Sequence, residues 1–447
     1  MFEGLKVVVG LISFILVYRT ITGNCNKYLA FAICAMWLRF FLSAFHSITY
    51  PPLVAGFSIN ALGSIGVAGL GLLLIPSAVF TLRKLFPYYL FFAAIAASGI
   101  VNFEIPGTIN VLVKWCYFLV LSGALFLSIR MQGHAETFKK LAVAFVMPVT
   151  LQIFSLLLGE VKATESDGSA SYIGGYNHEA AFSMIIASFV FVIGLTERGS
   201  INFRSTLFTL AVVLLVLVNY RTSMLAVLPI VAVFYYNLVE QRIRPSQKVS
   251  VMTLVTMIIL LSFMAVSIAM RERFSDVGTL ISNLDLILKA PIYFSEAEKD
   301  IMSSRVYLWS SYIDAFLKAD LLNQVFGFGS GAWSNVFTLY AHNTFVSYLY
   351  EYGVLGLSLF LLLCFAVVFQ TFTVIDSGLK KLLLLSFFGF LMMNMATMPL
   401  WNIEGLIFFS LIGALVFASN PNRRRTVPTS TIEKVMGIIP TQGKAIK

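Results

Sequence analysis

Hydrophobic residues form long runs along the chain, and most of the charged residues lie between these runs. Each run approaches the roughly 20 residues that an α-helix needs to cross a bilayer. A helix satisfies its own backbone hydrogen bonds, so each run predicts a transmembrane helix. The pattern therefore predicts an all-α polytopic membrane protein with about 12–13 transmembrane helices. The predicted spans are 4–18, 28–48, 58–80, 86–103, 108–129, 138–158, 179–195, 203–219, 222–238, 249–269, 344–370, 380–397 and 402–419.

The spans predict four parts along the chain. Residues 1–269 hold transmembrane helices 1–10 with short loops, and 344–419 hold helices 11–13. Between them, 270–343 form one large external loop. The tail, 420–447, is polar and basic, a composition typical of a disordered cytoplasmic segment.

Within the external loop, apolar residues at helical spacing predict two amphipathic helices at the outer surface. One contains Val277, Leu280, Leu284 and Ile287, and the other is "RVYLWSSYIDAFLKA" with Trp309, Ile313 and Phe316. The glycine-rich stretch "VFGFGSGAW" follows. It matches neither a dinucleotide fingerprint nor a P-loop, and we interpret it as a flexible elbow.

Composition and charge support a membrane protein. Hydrophobic residues make up 59% of the chain and charged residues 12%, far from the balance of soluble domains. The net charge of +10 is concentrated in alternate loops, which by the positive-inside rule places the C-terminus inside and the N-terminus outside. The basic excess is thus a topology signal and predicts no nucleic-acid partner. The four scattered cysteines suggest neither a disulfide framework nor a zinc site.

Two arginines on the predicted outer side are candidate anion ligands. Arg221 lies in a very short loop, "LVNYRTSML", and Arg305 opens the second amphipathic helix after two serines. A planar guanidinium donates two parallel charge-assisted bonds to phosphate and stays protonated. The alternatives are an arginine that reaches lipid headgroups at Arg221 and an exposed side chain at Arg305.

His342 lies where the external loop re-enters the membrane. Asn343 is a plausible N-cap for the following helix. Helical spacing places Thr344, Tyr348 and Glu351 on one stripe that faces the bundle or a cavity. A neutral imidazole can accept a proton from a hydroxyl group, which makes His342 a candidate base; the alternative is a histidine that merely lies at the interface.

Other polar residues within or near the spans could line the same cavity or pair with one another. His178 and Asn177 open a span beside a flexible loop and could cap its helix or contact substrate. The remaining candidates are Arg39, His46, Lys114 and Glu404.

The motifs from 200 to 370 resemble those of the bacterial O-antigen ligase and polymerase family. They are "NYRTSMLAVLP", "SSRVYLW", "VFGFGSGAW" and "AHNTFVSYLYEYGVLGL", in this order. The N-terminal spans match only in hydropathy.

The resemblance implies a metal-independent, inverting glycosyltransferase of the GT-C type without a cofactor, in the inner membrane, with its active site facing the periplasm. The donor would be a glycan on undecaprenyl diphosphate, held by Arg221 and Arg305. His342 would activate the acceptor hydroxyl. Further expected partners are membrane lipids and a chain-length regulator.

The acceptor distinguishes members of this family. A polymerase extends a lipid-linked repeat unit, a ligase transfers the polymer to lipid A–core, and a third type glycosylates protein. "NYRTSM" favours the polymerase over the ligases, which have a Ser-Arg-Gly version. A lipid-glycan transporter or flippase is the alternative from another class, although no inverted repeat is evident.

Overall fold

The protein is described by a computed structural model that covers residues 1–54, 56–163, 170–196, 199–240, 242–269 and 278–419. Nearly all of its regular structure is helical, and the predicted all-α polytopic fold is confirmed. The N-terminal helices are α1 (Phe2–Thr22), α2 (Lys27–Ala44), α3 (His46–Thr49), α4 (Ile59–Leu74), α5 (Ser77–Phe80), α6 (Phe86–Val101), α7 (Ile105–Gln132), α8 (His134–Leu141), α9 (Val146–Leu158) and α10 (Glu179–Leu195).

The remaining helices carry most of the motifs found in the sequence. They are α11 (Arg204–Leu217), α12 (Arg221–Glu240), α13 (Lys248–Ala269), α14 (Glu296–Lys299), α15 (Arg305–Leu317), α16 (Leu321–Phe326), α17 (Thr344–Phe372), α18 (Ser377–Ala396) and α19 (Ile403–Ala418). Short 3-10 helices lie at Arg83–Leu85, Ala142–Phe145, Pro245–Gln247, Leu284–Ile287, Pro291–Tyr293, Ala332–Asn335 and Pro399–Trp401.

Two small antiparallel hairpins complete the described structure. Strands β1 (Pro52–Val54) and β2 (Phe57–Ser58) pair with each other, with Pro52 opposite Ser58. Strands β3 (Lys162–Ala163) and β4 (Ala170–Ser171) form the second pair. Both lie in loops that the charge pattern predicts to be external.

Every predicted span coincides with a helix or with two successive helices. Among the described residues, eight helical segments are long and apolar enough to cross a membrane, and α4, α10, α11 and α19 are shorter apolar helices. α7 packs along α19, α6 along α17 and α12 along α18. Stacked rings such as Phe118 and Phe409, with centroids 4.9 Å apart, fill the contact between α7 and α19. Within α13, apolar side chains such as Leu254 and Leu260 are exposed, as expected for a helix that faces lipid.

The loops predicted to be external contact one another at one end of the helices. Lys6, in the first turns of α1, donates a hydrogen bond to the carbonyl of Gly175 in one of these loops (3.1 Å). Asn102 donates one to the carbonyl of Gly327 (2.9 Å), which joins the loop between α6 and α7 to the large external loop.

The loops predicted to be cytoplasmic likewise contact one another. Asn26 bonds to Gln132 (3.1 Å), and Lys140 donates to the carbonyl of Asn24 (2.6 Å). Lys84 donates to the carbonyl of Phe417 at the end of α19 (3.1 Å). The two sets of loops predicted from charge are thus each held together by their own contacts.

The external loop departs from the prediction at its first helix. The apolar spacing predicts one helix through Leu280, Leu284 and Ile287, but the chain turns at Asn283 and continues as the 3-10 helix Leu284–Ile287. Val277 lies outside the described residues, as does the predicted tail. The second predicted helix is confirmed as α15, with Trp309 and Phe316 buried. The division of the chain into four parts stays a prediction.

The glycine-rich stretch is fixed, so the interpretation as a flexible elbow was wrong. α17 is interrupted at Gly353, which has a φ of 68°. The stretch lies against this interruption: the N–H groups of Phe328 and Gly329 donate to the carbonyls of Tyr350 (3.0 Å) and Glu351 (2.9 Å). A side chain at Gly353 would collide with the carbonyl oxygen of Val325. Backbone groups freed by the helix break are thereby satisfied within the protein.

Candidate active site

Helix α15 joins two of the predicted site residues in one rigid unit. Arg305 is its first residue. One turn later, Trp309 donates its indole N–H to the carbonyl of Ala341 (2.8 Å), and Tyr312 donates its hydroxyl to the carbonyl of Leu339 (2.9 Å). The segment that ends in His342 is therefore bonded to the helix that carries Arg305.

His342 and Asn343 form the entrance to α17 as the sequence indicates. Asn343 caps the helix, because its side-chain oxygen accepts the N–H groups of Phe345 (2.9 Å) and Val346 (3.3 Å). His342 has a φ of 51°, in the left-handed region, and its ring contacts Tyr340 with centroids 3.9 Å apart and the planes tilted by 34°. The imidazole is partly buried.

Left-handed backbone is concentrated beside the three principal candidates. Of the seven described non-glycine residues with positive φ, one is His342 itself, and four others lie within three residues of Arg221 or Arg305. Such conformations cost of order 1–3 kcal/mol each and cluster at functional sites. The four are Asn219, Met302, Ser303 and Ser304.

The electrostatic surroundings connect His342 with Arg305 and His178. Burial is the largest cause that lowers the pKa of His342, and the charges of Arg305 and His178 lower it further, to about 4. The imidazole is therefore neutral at pH 7. A neutral ring has a free lone pair that can accept a proton.

Tyr220 connects the same group of residues to α12. Burial raises the pKa of Tyr220, and the nearby positive charge of Arg305 opposes this shift. The tyrosine is bonded to Thr397 and precedes Arg221, the first residue of α12. Tyr220 therefore lies within electrostatic range of Arg305, and the exposed Arg221 is the next residue in the chain.

Four helices begin at these candidates, and a helix N-terminus favours negative charge. His178 caps α10 through a ring nitrogen that accepts the N–H of Ala180 (3.1 Å). The other three are α12, α15 and α17, which begin at Arg221, Arg305 and Thr344. A guanidinium group and a helix N-terminus each favour an anionic ligand.

Arg39 is a paired charge in the core. It forms two bonds to the carboxylate of Glu404 (2.8 and 3.1 Å) and one to Asn60 (2.7 Å), and Ser43 bonds to the same carboxylate (3.0 Å). The adjoining cavity measures about 10 Å³, room for a single water molecule. Of the two alternatives that the sequence left open for Arg39, pairing is the one seen.

Several other candidates have structural contacts. Tyr348 is fully buried in an aromatic core with Phe91, at 5.2 Å between ring centroids. His46 lies in α3 with its ring edge toward Tyr50. Asn177 is exposed, and its carbonyl accepts a bond from Lys162 (2.6 Å).

Glu351 and Lys114 lie at the interruption of α17. The buried carboxylate of Glu351 is bonded to Ser347 (3.4 Å) and to the N–H of Gly331, which fixes the glycine-rich stretch. Lys114 is within electrostatic range of Glu351, Arg39 and Glu404. Glu351 thereby joins α17 to the external loop.

Sequence reasoning missed three aromatic residues near the candidate base: Tyr220, Tyr340 and Trp401. Tyr340 is two residues from His342, so the sequence could have indicated it, whereas Trp401 lies in a loop distant in sequence.

In the described part of the chain, no three His, Cys, Asp or Glu side chains are grouped so that they could hold a metal ion.

Comparison with protein families gives a match to part of the chain. Residues 206–361 match the sequence model of the O-antigen ligase family, Wzy_C. The matched segment contains Arg221, Arg305 and His342, and the resemblance to the O-antigen ligase and polymerase family is confirmed. The family supports a function of the O-antigen ligase or polymerase type on lipid-linked glycans. No curated protein matches the chain.

Proposed function

We propose, from the O-antigen ligase family domain in residues 206–361, that this protein is an inverting membrane glycosyltransferase. It polymerises repeat units carried on undecaprenyl diphosphate into O-antigen or exopolysaccharide. The reaction takes place at the periplasmic face of the bacterial inner membrane. His342 is the catalytic base, and Arg221 and Arg305 bind the diphosphate.

One observation carries this proposal: α15 begins with Arg305 and is bonded to the segment that ends in His342. A transferase must hold the leaving group and the attacking hydroxyl in fixed relative positions, and a rigid element does this at little entropic cost. The hydrogen bonds of Trp309 and Tyr312 hold the segment before His342 against the helix that begins with Arg305.

The bond changes balance without an additional reactant. The acceptor hydroxyl oxygen attacks the anomeric carbon of the donor, and its proton passes to the neutral His342. The bond from the anomeric carbon to the diphosphate oxygen breaks, and its electron pair leaves with undecaprenyl diphosphate. Because attack comes from the face opposite the leaving group, the configuration inverts. Arg221 and Arg305 stabilise the negative charge that grows on the diphosphate.

Donor binding would strengthen the base. A pKa of about 4 makes the unliganded His342 neutral but a weak proton acceptor. A bound diphosphate places negative charge beside Arg305, offsets its positive charge and raises the pKa of the imidazole. The base then becomes effective when the donor is in place.

A ligase is the second candidate, because the matching family model is itself described as O-antigen ligase. The chemistry at Arg221, Arg305 and His342 would be the same, and only the acceptor would change to lipid A–core. We prefer the polymerase because of the sequence "NYRTSM" around Arg221.

The glycans of a deletion strain test the proposal. With a polymerase missing, we expect no polymer but a single repeat on the core, together with accumulated lipid-linked repeat units. With a ligase missing, every repeat would be absent from the core. Complementation with His342→Ala should reproduce the deletion phenotype at normal protein level, and His134→Ala, at the start of α8, is the matched control. Wild-type polymer length with His342→Ala would contradict transferase chemistry at this residue and favour a transporter or flippase.

A further inference from the structure

Three aromatic side chains form a continuous group, which we call the aromatic platform: Trp333, Tyr340 and Trp401. The ring centroids of Trp333 and Trp401 are 5.8 Å apart at 29° between planes, and those of Tyr340 and Trp401 are 5.5 Å apart at 39°. Trp333 and Tyr340 are 6.0 Å apart. All three side chains are partly exposed.

The platform leads directly to His342. The ring of Tyr340 contacts both Trp401 and the imidazole, with 3.9 Å between the Tyr340 and His342 centroids. The imidazole therefore has an aromatic neighbour in the platform and a cationic neighbour in Arg305.

This arrangement differs from that of a hydrophobic core. Trp333 and Trp401 stand on separate 3-10 helices, Ala332–Asn335 and Pro399–Trp401, and both keep part of their surface accessible. A belt of aromatic residues at the membrane surface is the alternative explanation. Belt residues anchor a protein individually, whereas these rings contact one another and end at the candidate base.

The chemistry of the platform suits a sugar. One face of a pyranose ring presents several C–H groups and is apolar, so it stacks on an indole, while its hydroxyl groups stay at the rim for hydrogen bonding. We propose that the aromatic platform binds the terminal sugar of the acceptor glycan and directs its attacking hydroxyl toward His342. This inference rests on the proposed function. It places the acceptor at the aromatic platform beside His342, whereas the proposed function places the donor diphosphate at Arg305.

Binding of free glycans to the full chain in lipid nanodiscs tests this assignment. One probe is the repeat-unit oligosaccharide, released by mild acid from the lipid-linked units of a deletion strain. The other is the core oligosaccharide released from lipopolysaccharide. With Trp333→Ala and with Trp401→Ala, we expect the Kd for one of these glycans to rise about tenfold, as for the loss of one stacking contact. The glycan affected tells a polymerase from a ligase.

Three controls keep the result specific. Trp401→Phe retains a ring and should restore most of the affinity. Tyr293→Ala removes an aromatic residue of the same external loop that is 74% exposed and should bind like wild type. Binding of undecaprenyl diphosphate should be unchanged in Trp401→Ala.

The assignment is overturned if the wild type binds neither glycan, or if both tryptophan variants bind them as the wild type does. Weaker binding of undecaprenyl diphosphate alone would also overturn it. The proposed function is judged separately, by glycan transfer with wild type and His342→Ala, because His342→Ala should retain glycan binding. Loss of binding in the tryptophan variants therefore supports the platform whether or not transfer is observed.

Discussion

The surroundings of His342 disfavour a charged imidazole. Burial and the charges of Arg305 and His178 lower its pKa to about 4, below the value of about 6.5 expected in an unfolded chain. The neutral ring is the form that accepts a proton. As the pH falls from 6.5 toward 4, the folded state resists protonation that the unfolded chain accepts, so this residue lowers stability in that range.

The pH dependence of transfer follows from this shift. We expect kcat/KM, which reports the free enzyme, to stay level from pH 7 to pH 6 and to fall only near pH 4. The acid limb of kcat should lie at higher pH, because the bound diphosphate raises the pKa of His342. Rate measurements between pH 4 and 8 check both limbs. If kcat and kcat/KM both fell with the same midpoint at pH 6.5, the described surroundings of His342 would be contradicted.

At the scale of elements, α15 begins with Arg305 and is hydrogen-bonded to the segment that ends in His342. The bond from Trp309 to the carbonyl of Ala341 fixes the segment before His342. Trp309→Phe keeps the aromatic volume but removes the donor, at a cost of about 0.5–1.5 kcal/mol.

We therefore expect Trp309→Phe to lower kcat up to about tenfold, with undecaprenyl diphosphate affinity retained, because a displaced base impairs transfer rather than donor binding. Steady-state kinetics and binding in nanodiscs measure this. Trp37→Phe is the matched control, since it removes an indole bond to Ser13 (2.9 Å) between α1 and α2. Equal kinetics for Trp309→Phe and Trp37→Phe would contradict the role of α15 in positioning His342.

The interruption of α17 makes a second prediction. Gly353 has a φ of 68°, and an added Cβ would collide with the carbonyl oxygen of Val325. Gly353→Ala should cost about 1–3 kcal/mol from backbone strain, in addition to the cost of that collision. Gly69→Ala in α4, where the added Cβ meets nothing within 4 Å, should be nearly neutral. Thermal unfolding in detergent compares the two, and equal midpoints would show that the interruption adapts freely.

The helices were predictable from the sequence, and the breaks within them were only partly so. Apolar runs in lipid allow little besides helices, so all thirteen predicted spans correspond to helices. The interruption at Gly353 depends on a hydrogen-bonding partner more than twenty residues earlier. The turn at Asn283 overrides an apolar spacing that is helical in the sequence.

The candidate site was predictable in its residue types and less so in its pairings. Asn343 and His178 are caps, as their positions before apolar runs suggest. Arg39 bonds to Glu404 across 365 residues, a pairing that no local pattern reveals. The helical spacing of Tyr348 fits a side chain that lines a cavity or one that lies in the core. In the structure Tyr348 packs against Phe91 in the core.

For the whole molecule, the buried pair Arg39–Glu404 joins the N-terminal helices to the last helix. Removal of one partner leaves the other charge buried, so Arg39→Met should lower the free energy of unfolding by about 3–5 kcal/mol. Arg39→Met combined with Glu404→Leu should recover most of that loss. Thermal unfolding of the single and double variants measures the coupling, and a double variant as unstable as the sum of the singles would show that the two charges do not act as a pair.

The central claim is that His342 is the catalytic base of glycan transfer and that Arg221 and Arg305 bind the lipid diphosphate. Its most direct test is the purified protein in nanodiscs, assayed for glycan transfer and for undecaprenyl diphosphate binding. We predict that His342→Ala lowers turnover by about 10²–10⁴-fold with binding intact. Arg221→Lys and Arg305→Lys should weaken binding, and Arg83→Lys, at an exposed residue of a loop predicted to be cytoplasmic, should change neither turnover nor binding. Wild-type turnover in His342→Ala would contradict the claim.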